Sequence, residues 1–399
     1  MQGKSSPRIA FYSHDTMGLG HIRRNILLAS DVLNRLPDTE ILLISGVRES
    51  GAFHLPKGAD SVTLPTYLKT PEGHYRPRSL GSNVDHLVNL RKNIIYAALD
   101  AFDPDIAIID NVPRGAMSEL NPSLPMLKKK NTHLILGLRD IIDDPREVQR
   151  QWEKLDNTSA IRNYFSSVWV YGDCNFYDLS QAYHFDDDVK QKTSFIGYLD
   201  ATRRPRLPTS ADDATSRHHA PYALCVVGGG QDGFQLAQTF AQAHFPSGMT
   251  GILVTGAMMP KVEYDKLQVM AGKRHHLQVL RFVPEPLELL RRAECVIAMG
   301  GYNTITEILS FHKRALIVPR THPRREQWIR ARLLAEKQLV SCLHPQTLTL
   351  SAINTWLAAK TPSPEPRDIL NFNGLETFTL RIENLLQAKR TELLQRKVG

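Results

Sequence analysis

Twice along this chain a series of short apolar runs alternates with amphipathic stretches, and a polar segment separates the two series. The first comprises Arg8 to Tyr12, Glu40 to Ile44, Ile106 to Ile109, His133 to Leu138 and Val168 to Tyr171. The second comprises Tyr222 to Val227, Gly251 to Val254, Leu277 to Leu280, Cys295 to Ala298 and Ala315 to Val318. Runs this short, bounded by Gly, Asp, Asn or Arg, read as strands. Strands alternating with helical patterns build βαβ units, and so a parallel sheet whose ligands gather at the carboxyl ends of the strands. The expected fold class is therefore α/β. It comprises a Rossmann-like domain over residues 1–200, a Pro-, Ser-, Thr- and charge-rich linker over 201–221, and a second Rossmann-like domain over 222–371. An amphipathic closing helix over 372–399 carries Leu380, Ile382, Leu385 and Leu386.

Composition narrows the class. At 399 residues, 42% hydrophobic and 23% charged, the chain suits two ordinary globular domains. Cys174, Cys225, Cys295 and Cys342 stand singly, without the spacing of a disulfide framework or zinc knuckle. The first residues are polar, and the apolar run after them breaks at Ser13-His14-Asp15, so no signal peptide is read. A cytoplasmic location is expected. The net charge of +8 suits handling of phosphates and is compatible with peripheral contact at the inner membrane face. The basic clusters Lys128-Lys129-Lys130 and Arg203, Arg204, Arg206 lack interleaved aromatics, so a nucleic-acid partner is not expected and solvated surface is the simpler reading.

The richest segment follows Cys295 to Ala298. Met299-Gly300-Gly301-Tyr302-Asn303-Thr304-Ile305-Thr306-Glu307 reads as strand, double-glycine turn and helix start. Glycines let the backbone approach a phosphate closely, and the unpaired N–H groups of the first turn face the charge. Asn303 or Thr304 is expected as the cap. Glu307, one turn past Asn303, can accept hydrogen bonds from a pair of hydroxyls such as a ribose presents. Alone, the segment is equally well an ordinary helix start with a Glu near the positive helix end. Two further strand ends weaken that simpler reading: Gly228-Gly229-Gly230-Gln231-Asp232-Gly233, and Pro319-Arg320-Thr321-His322-Pro323-Arg324-Arg325-Glu326-Gln327.

The order of a glycine loop, Phe282-Val283-Pro284-Glu285-Pro286, Gly300-Gly301-x-Asn303-Thr304-x-x-Glu307, then a proline followed by Arg-Glu-Gln resembles the donor domain of glycosyltransferase family 28. The resemblance covers the second half of the chain well and the first half loosely. It implies the GT-B architecture, two Rossmann-like domains facing across a cleft. It also implies an inverting, metal-independent transferase moving a hexose-type sugar from a UDP-sugar co-substrate, with no other cofactor. By the same resemblance, the backbone near Phe282 and Val283 reads the uracil and Glu307 the ribose. Gly301, Asn303 and Thr304 hold the diphosphate, beside the phosphate-approach glycines Gly229, Gly230 and Gly300, and Arg325, Glu326 and Gln327 line the donor sugar.

After the first strand comes Met17-Gly18-Leu19-Gly20-His21-Ile22-Arg23-Arg24, again glycine loop and helix. His21 at a helix start can take a proton from a nucleophile, and the resemblance supports that role, since family 28 members carry a Gly-His after the first strand. The simpler reading is a histidine that packs the turn. Gly18, Gly20, Arg24, Asp110 and Arg139 are the expected acceptor contacts, with Asp140 and Asp173 at neighbouring strand ends. Thr66 to Arg78, including His74, reads as a long loop over the acceptor. The acceptor is a small molecule, lipid or glycan of unread identity. Gly18-x-Gly20-His21-x-x-Arg24 also resembles a sugar-nucleotide hydrolase of pseudaminic acid synthesis, which passes the sugar to water. A noncatalytic sugar-nucleotide binder and a UDP-sugar epimerase are the remaining readings. Asp186-Asp187-Asp188 and Asp103-Pro104-Asp105 end no strand, and no metal site is expected there.

Overall fold

The computed structural model describes residues 6–14, 19–47, 53–69, 75–204, 220–283, 286–359 and 361–398. The chain divides into two compact units, Met1–Leu199 with Asn371–Gly399, and Asp200–Leu370.

The first unit contains β1 (Arg8–Ser13), α1 (Gly20–Arg35), β2 (Glu40–Ser45), β3 (Ala59–Thr63), β4 (Tyr67–Lys69), β5 (Tyr75–Pro77), α2 (Val84–Phe102), β6 (Ile106–Asp110), β7 (His133–Arg139), β8 (Ser167–Tyr171) and β9 (Thr193–Phe195). Seven of these strands form one parallel sheet in the order β3-β2-β1-β6-β7-β8-β9. Its central strands are buried on both faces, which is why they read as unbroken apolar runs rather than as an alternation. From β1 the chain builds outward through β2 and β3, then returns to place β6 on the other side. The reversal makes β1 and β6 the topological switch point, where open α/β sheets leave a crevice for ligands.

The second unit contains β10 (Tyr222–Val226), α3 (Phe234–Gln242), β11 (Thr250–Val254), β12 (Leu277–Leu280), β13 (Cys295–Ala298), α4 (Tyr302–Ser310), β14 (Ala315–Ile317), α5 (Glu326–Glu336) and β15 (Ser341–Cys342). Its parallel sheet has six strands in the order β12-β11-β10-β13-β14-β15, so here the switch point lies between β10 and β13.

Every expected strand is present with ends within one residue. Missing from the expectation are β3, β9 and β15, which are sheet edges: short, polar or half-exposed, and so without an apolar run to betray them. The expected loop from Thr66 to Arg78 is corrected to an antiparallel hairpin, Tyr67 opposite Pro77, with residues 70–74 and hence His74 outside the described residues. Of the expected linker, 205–219 also lies outside them, while Ala201–Arg203 forms a 3-10 turn whose Ala201 N–H donates to Ser310 Oγ on α4, 3.0 Å away.

After Leu370 the chain re-enters the first unit, and α6 (Gly374–Val398) packs there. Phe378, fully buried, sets its ring edge-on to Trp169 at 5.3 Å and stacks with Phe11 at 6.3 Å. Thr379 Oγ1 donates to Asp31 on α1 at 2.6 Å, and Arg35 of α1 pairs with Glu383 at 2.7 Å. The closing helix is therefore an integral layer of the first sheet.

Candidate active site

In the first unit, Gly20 opens α1 and Leu19 occupies its N-cap without a capping side chain; Gly18 lies outside the described residues. His21 is thereby carried to the end of β1, beside the end of β6. Its Nδ1 lies 2.9 Å from Asp110 Oδ2, and Arg24, one turn along α1, brings its guanidinium to both Asp110 oxygens at 2.6 Å. Arg24 Nη2 is also 3.0 Å from His21 Nδ1. His21 Nδ1 thus faces an acceptor, Asp110 Oδ2, and a donor, Arg24 Nη2, so either tautomer finds a partner; the one that gives Nδ1–H to the carboxylate leaves the lone pair on Nε2. Asp110 is fully buried. Burial alone would raise its carboxyl pKa, but Arg24 and His21 beside it outweigh that and hold it well below the usual carboxylate range.

Arg24 is in turn seated on the Tyr171 ring, 5.4 Å from its centroid. Tyr171 lies so close over Gly137 of β7 that a Cβ there would stand 2.3 Å from the phenolic oxygen. At 2% and 0% exposure Arg24 and Asp110 lie buried against His21, whose own side chain is 19% exposed. Arg139, partly exposed, ends β7 at the same carboxyl edge. Asp140 accepts from Tyr198 Oη at 3.0 Å and Asp173 from the Asn371 N–H at 2.9 Å, so both brace the unit itself.

Beneath this edge lies a second charged group that the sequence reading missed. Arg91 of α2 and Glu119, both wholly buried, pair through Nε–Oε2 at 2.5 Å and Nη2–Oε1 at 2.6 Å. Tyr12 at the end of β1 and Tyr67 of the hairpin both donate to the same carboxylate, and Arg91 Nη1 donates to Pro65 O at 2.6 Å. Burial, and then the Glu119 charge, push both phenols far up, so they remain donors. The available signal was Arg91 at i, i+4 spacing among Leu87, Ile95 and Leu99, a charge on the buried stripe of its helix.

In the second unit the two glycine loops flank the β10/β13 switch point. Gly230, at φ +93°, sits where a Cβ would stand 2.2 Å from Thr255 O, and Gly229 O accepts from the Met258 N–H at 2.9 Å. Gly300, at φ +88°, abuts Ile317, whereas a Cβ on Gly301 would meet nothing within 4 Å. Gly301 is the N-cap of α4 and no side chain caps it. The expectation that Asn303 or Thr304 caps is therefore corrected: both lie inside the first turn, because the double-glycine turn places the start of the helix at Tyr302. Glu307, 4% exposed, faces Arg204, whose Nη1 is 3.5 Å from Oε1. Arg204, read from sequence as solvated surface, instead leans on α4.

After β14, Arg320 Nη2 pairs with Glu326 at 2.6 Å and its N–H donates to Gln327 Oε1 at 3.0 Å. Glu326 is nearly buried, and Arg325, exposed, is the N-cap of α5. Arg330, 1% exposed, donates from α5 to Gly300 O at 3.3 Å. Val283 is buried and Phe282 partly exposed just beyond β12, with Pro284 and Glu285 outside the described residues. The metal candidates are occupied by protein partners: Asp186 and Asp188 pair with Arg162, and Asp105 with Lys389 at 3.0 Å and the Arg8 N–H at 3.0 Å.

Two parallel-sheet units, each carrying its candidate loops at the switch point, give the chain the fold of GT-B glycosyltransferases. The fold match spans nearly the whole chain. The calicheamicin glycosyltransferase CalG4 superposes with a TM-score of 0.58 at 15% identity, covering 96% of this chain and 98% of that one. The UDP-GlcNAc 2-epimerase from Neisseria meningitidis does so with a TM-score of 0.56 at 10% identity, covering 96% and 100%. Residues 223–364 match the glycosyltransferase family 28 C-terminal domain. A UDP-N-acetylglucosamine--N-acetylmuramyl-(pentapeptide) pyrophosphoryl-undecaprenol N-acetylglucosamine transferase of Alkaliphilus metalliredigens (strain QYMF) is 22% identical over 331 residues, 80% of this chain and 81% of that one. The chain thus has the GT-B fold and carries, over residues 223–364, a segment that matches the glycosyltransferase family 28 C-terminal domain.

Proposed function

We propose that the protein is an inverting transferase that moves a hexose-type sugar from a UDP-sugar to a hydroxyl acceptor without a metal. The observation that carries this reading is the His21–Asp110 pair, fixed by Arg24 at the first switch point. His21 Nε2 takes the acceptor proton, the acceptor oxygen forms the new bond to the anomeric carbon, and the bond to the β-phosphate breaks with its electron pair leaving on UDP. Asp110 stabilises the imidazolium that forms, as a positioning residue rather than a proton acceptor. On the donor side, Gly301 leaves open space at the helix start, the uncapped first turn of α4 faces the diphosphate beside the Gly229-Gly230 loop and Gly300, and Glu307 addresses the ribose. The Alkaliphilus metalliredigens relative, named for UDP-N-acetylglucosamine, supports a UDP-sugar donor.

Calorimetry tests the donor half: Glu307→Ala should weaken UDP binding by about tenfold or more, since charge-assisted hydrogen bonds are lost. Unchanged affinity sinks the nucleotide assignment. Hydrolysis uses the same base, and rapid UDP release from a UDP-sugar without any acceptor would identify water as the nucleophile. No helix among the described residues is long and apolar enough to cross a membrane.

A further inference from the structure

The second unit holds an arginine in a position that the donor reading above does not use. In its sheet β13 lies between β10 and β14, and α4 starts directly after β13. Arg320, just after β14, reaches across that strand end. One side of its guanidinium pairs with Glu326 at 2.6 Å on its own side, and the other with Asp232 Oδ2 at 3.3 Å in the glycine loop after β10. The three loops are in mutual contact around this span. A Cβ on Gly233 would stand 3.1 Å from Met299 Sδ, and one on Gly300 would stand 3.9 Å from Gln327 O.

The two carboxylates are not equivalent. Glu326, with a side chain 5% exposed, is a fixed counter-ion, whereas Asp232, 43% exposed, makes the longer contact from the solvent side. A half-exposed pair of that length contributes little net stability and yields readily to a stronger anion. A diphosphate drawn to the uncapped start of α4 is such an anion, carrying more charge than a carboxylate and able to take a guanidinium through two parallel hydrogen bonds.

We propose that Arg320 binds the terminal phosphate of the donor's diphosphate, and that Asp232 stands in for that phosphate until the donor arrives. Glu326 keeps the guanidinium aimed while Asp232 is displaced. During transfer the bond between the anomeric carbon and the β-phosphate oxygen breaks, that oxygen keeps the electron pair, and Arg320 neutralises the charge it gains. The inference rests on the nucleotide reading of the same unit.

Calorimetry with UDP and UMP on the full chain tests it, because UMP lacks the phosphate assigned to Arg320. Asp232→Asn should tighten UDP by about two- to fivefold, the worth of an exposed ion pair, and leave UMP unchanged. Arg320→Gln should weaken UDP by about 10- to 100-fold with UMP again unchanged, and Arg320→Lys should fall between. If Asp232→Asn weakens UDP, or Arg320→Gln weakens UDP and UMP alike, Arg320 is a structural bridge and the proposal falls. Should Arg320→Gln fail to fold, Asp232→Asn decides alone by the sign of its effect. Failure of the unsubstituted protein to bind both UDP and UMP overturns the nucleotide reading itself, whereas normal UDP binding with both variants unaffected overturns only the role of Arg320.

Discussion

At the scale of single residues, the first unit turns on how a buried carboxylate is neutralised. Asp110 tolerates complete burial because Arg24 and His21 both point at it, and removing either partner leaves the other imbalance in place. Asp110→Asn keeps the shape but offers the imidazole a choice of tautomer, so turnover should drop by about 10²–10⁴ while UDP affinity stays the same; near-normal kcat would remove Asp110 from the mechanism. The same group predicts an acid response. Its carboxyl is depressed in the folded state, so the stabilisation is complete above the unfolded value of about 4 and is lost as pH falls below it toward the folded value. Acid unfolding followed by circular dichroism should therefore steepen below about pH 4, and Asp110→Asn should flatten that part of the curve. The thiols give a separate check. Burial pushes Cys295 up to about 11, and Cys225 is fully buried, whereas Cys174 is exposed. A thiol reagent at neutral pH should label Cys174 first in the native protein, and labelling of Cys225 or Cys295 at the same rate would contradict the packing.

At the scale of elements, the buried strands were legible because their neighbours on both faces are apolar, and the polar edges β3, β9 and β15 were not, because nothing about Ala-Asp-Ser-Val-Thr separates an edge strand from a loop. The glycine loops were legible as tight turns after strands, and the structure adds why particular glycines are needed there, Gly230 against Thr255 and Gly300 against Ile317. What one-dimensional reading lacks is pairing between distant elements. His21 and Asp110 were both picked out, yet nothing in the sequence joined them, since the reversal of strand order that sets β1 beside β6 is a property of the sheet. Arg91 and Glu119 were hidden for the same reason. Their pair ties α2, the end of β1 and the hairpin together, and breaking it by Arg91→Met would strand a buried carboxylate at a cost of about 3–5 kcal/mol. Chemical denaturation should show that loss, and a change below about 1 kcal/mol would mean that water reaches Glu119 in the folded state.

At the scale of the whole molecule, the division of the chain is not the simple succession that composition suggests. The polar stretch near residue 200 marks the first crossing and the proline-rich Thr361 to Pro366 precedes the second, at Leu370, but no sequence signal says that α6 returns to the first unit, which it does through Phe378 and the Asp31 and Arg35 contacts on α1. Phe378→Ala should therefore destabilise the first unit by about 3–5 kcal/mol and leave the UDP affinity proposed for the second unaltered; parallel loss of both would show that the units are coupled through α6. Under the proposed function the His21–Asp110 pair drives sugar transfer from a UDP-sugar. The measurement that meets it most directly is UDP release from a panel of UDP-sugars, with cell extract supplying the acceptor, run alongside UDP calorimetry on the unsubstituted protein and His21→Ala. His21→Ala should turn over about 10²–10⁴ times more slowly with an unchanged UDP Kd; full turnover by that variant would remove His21 as the base.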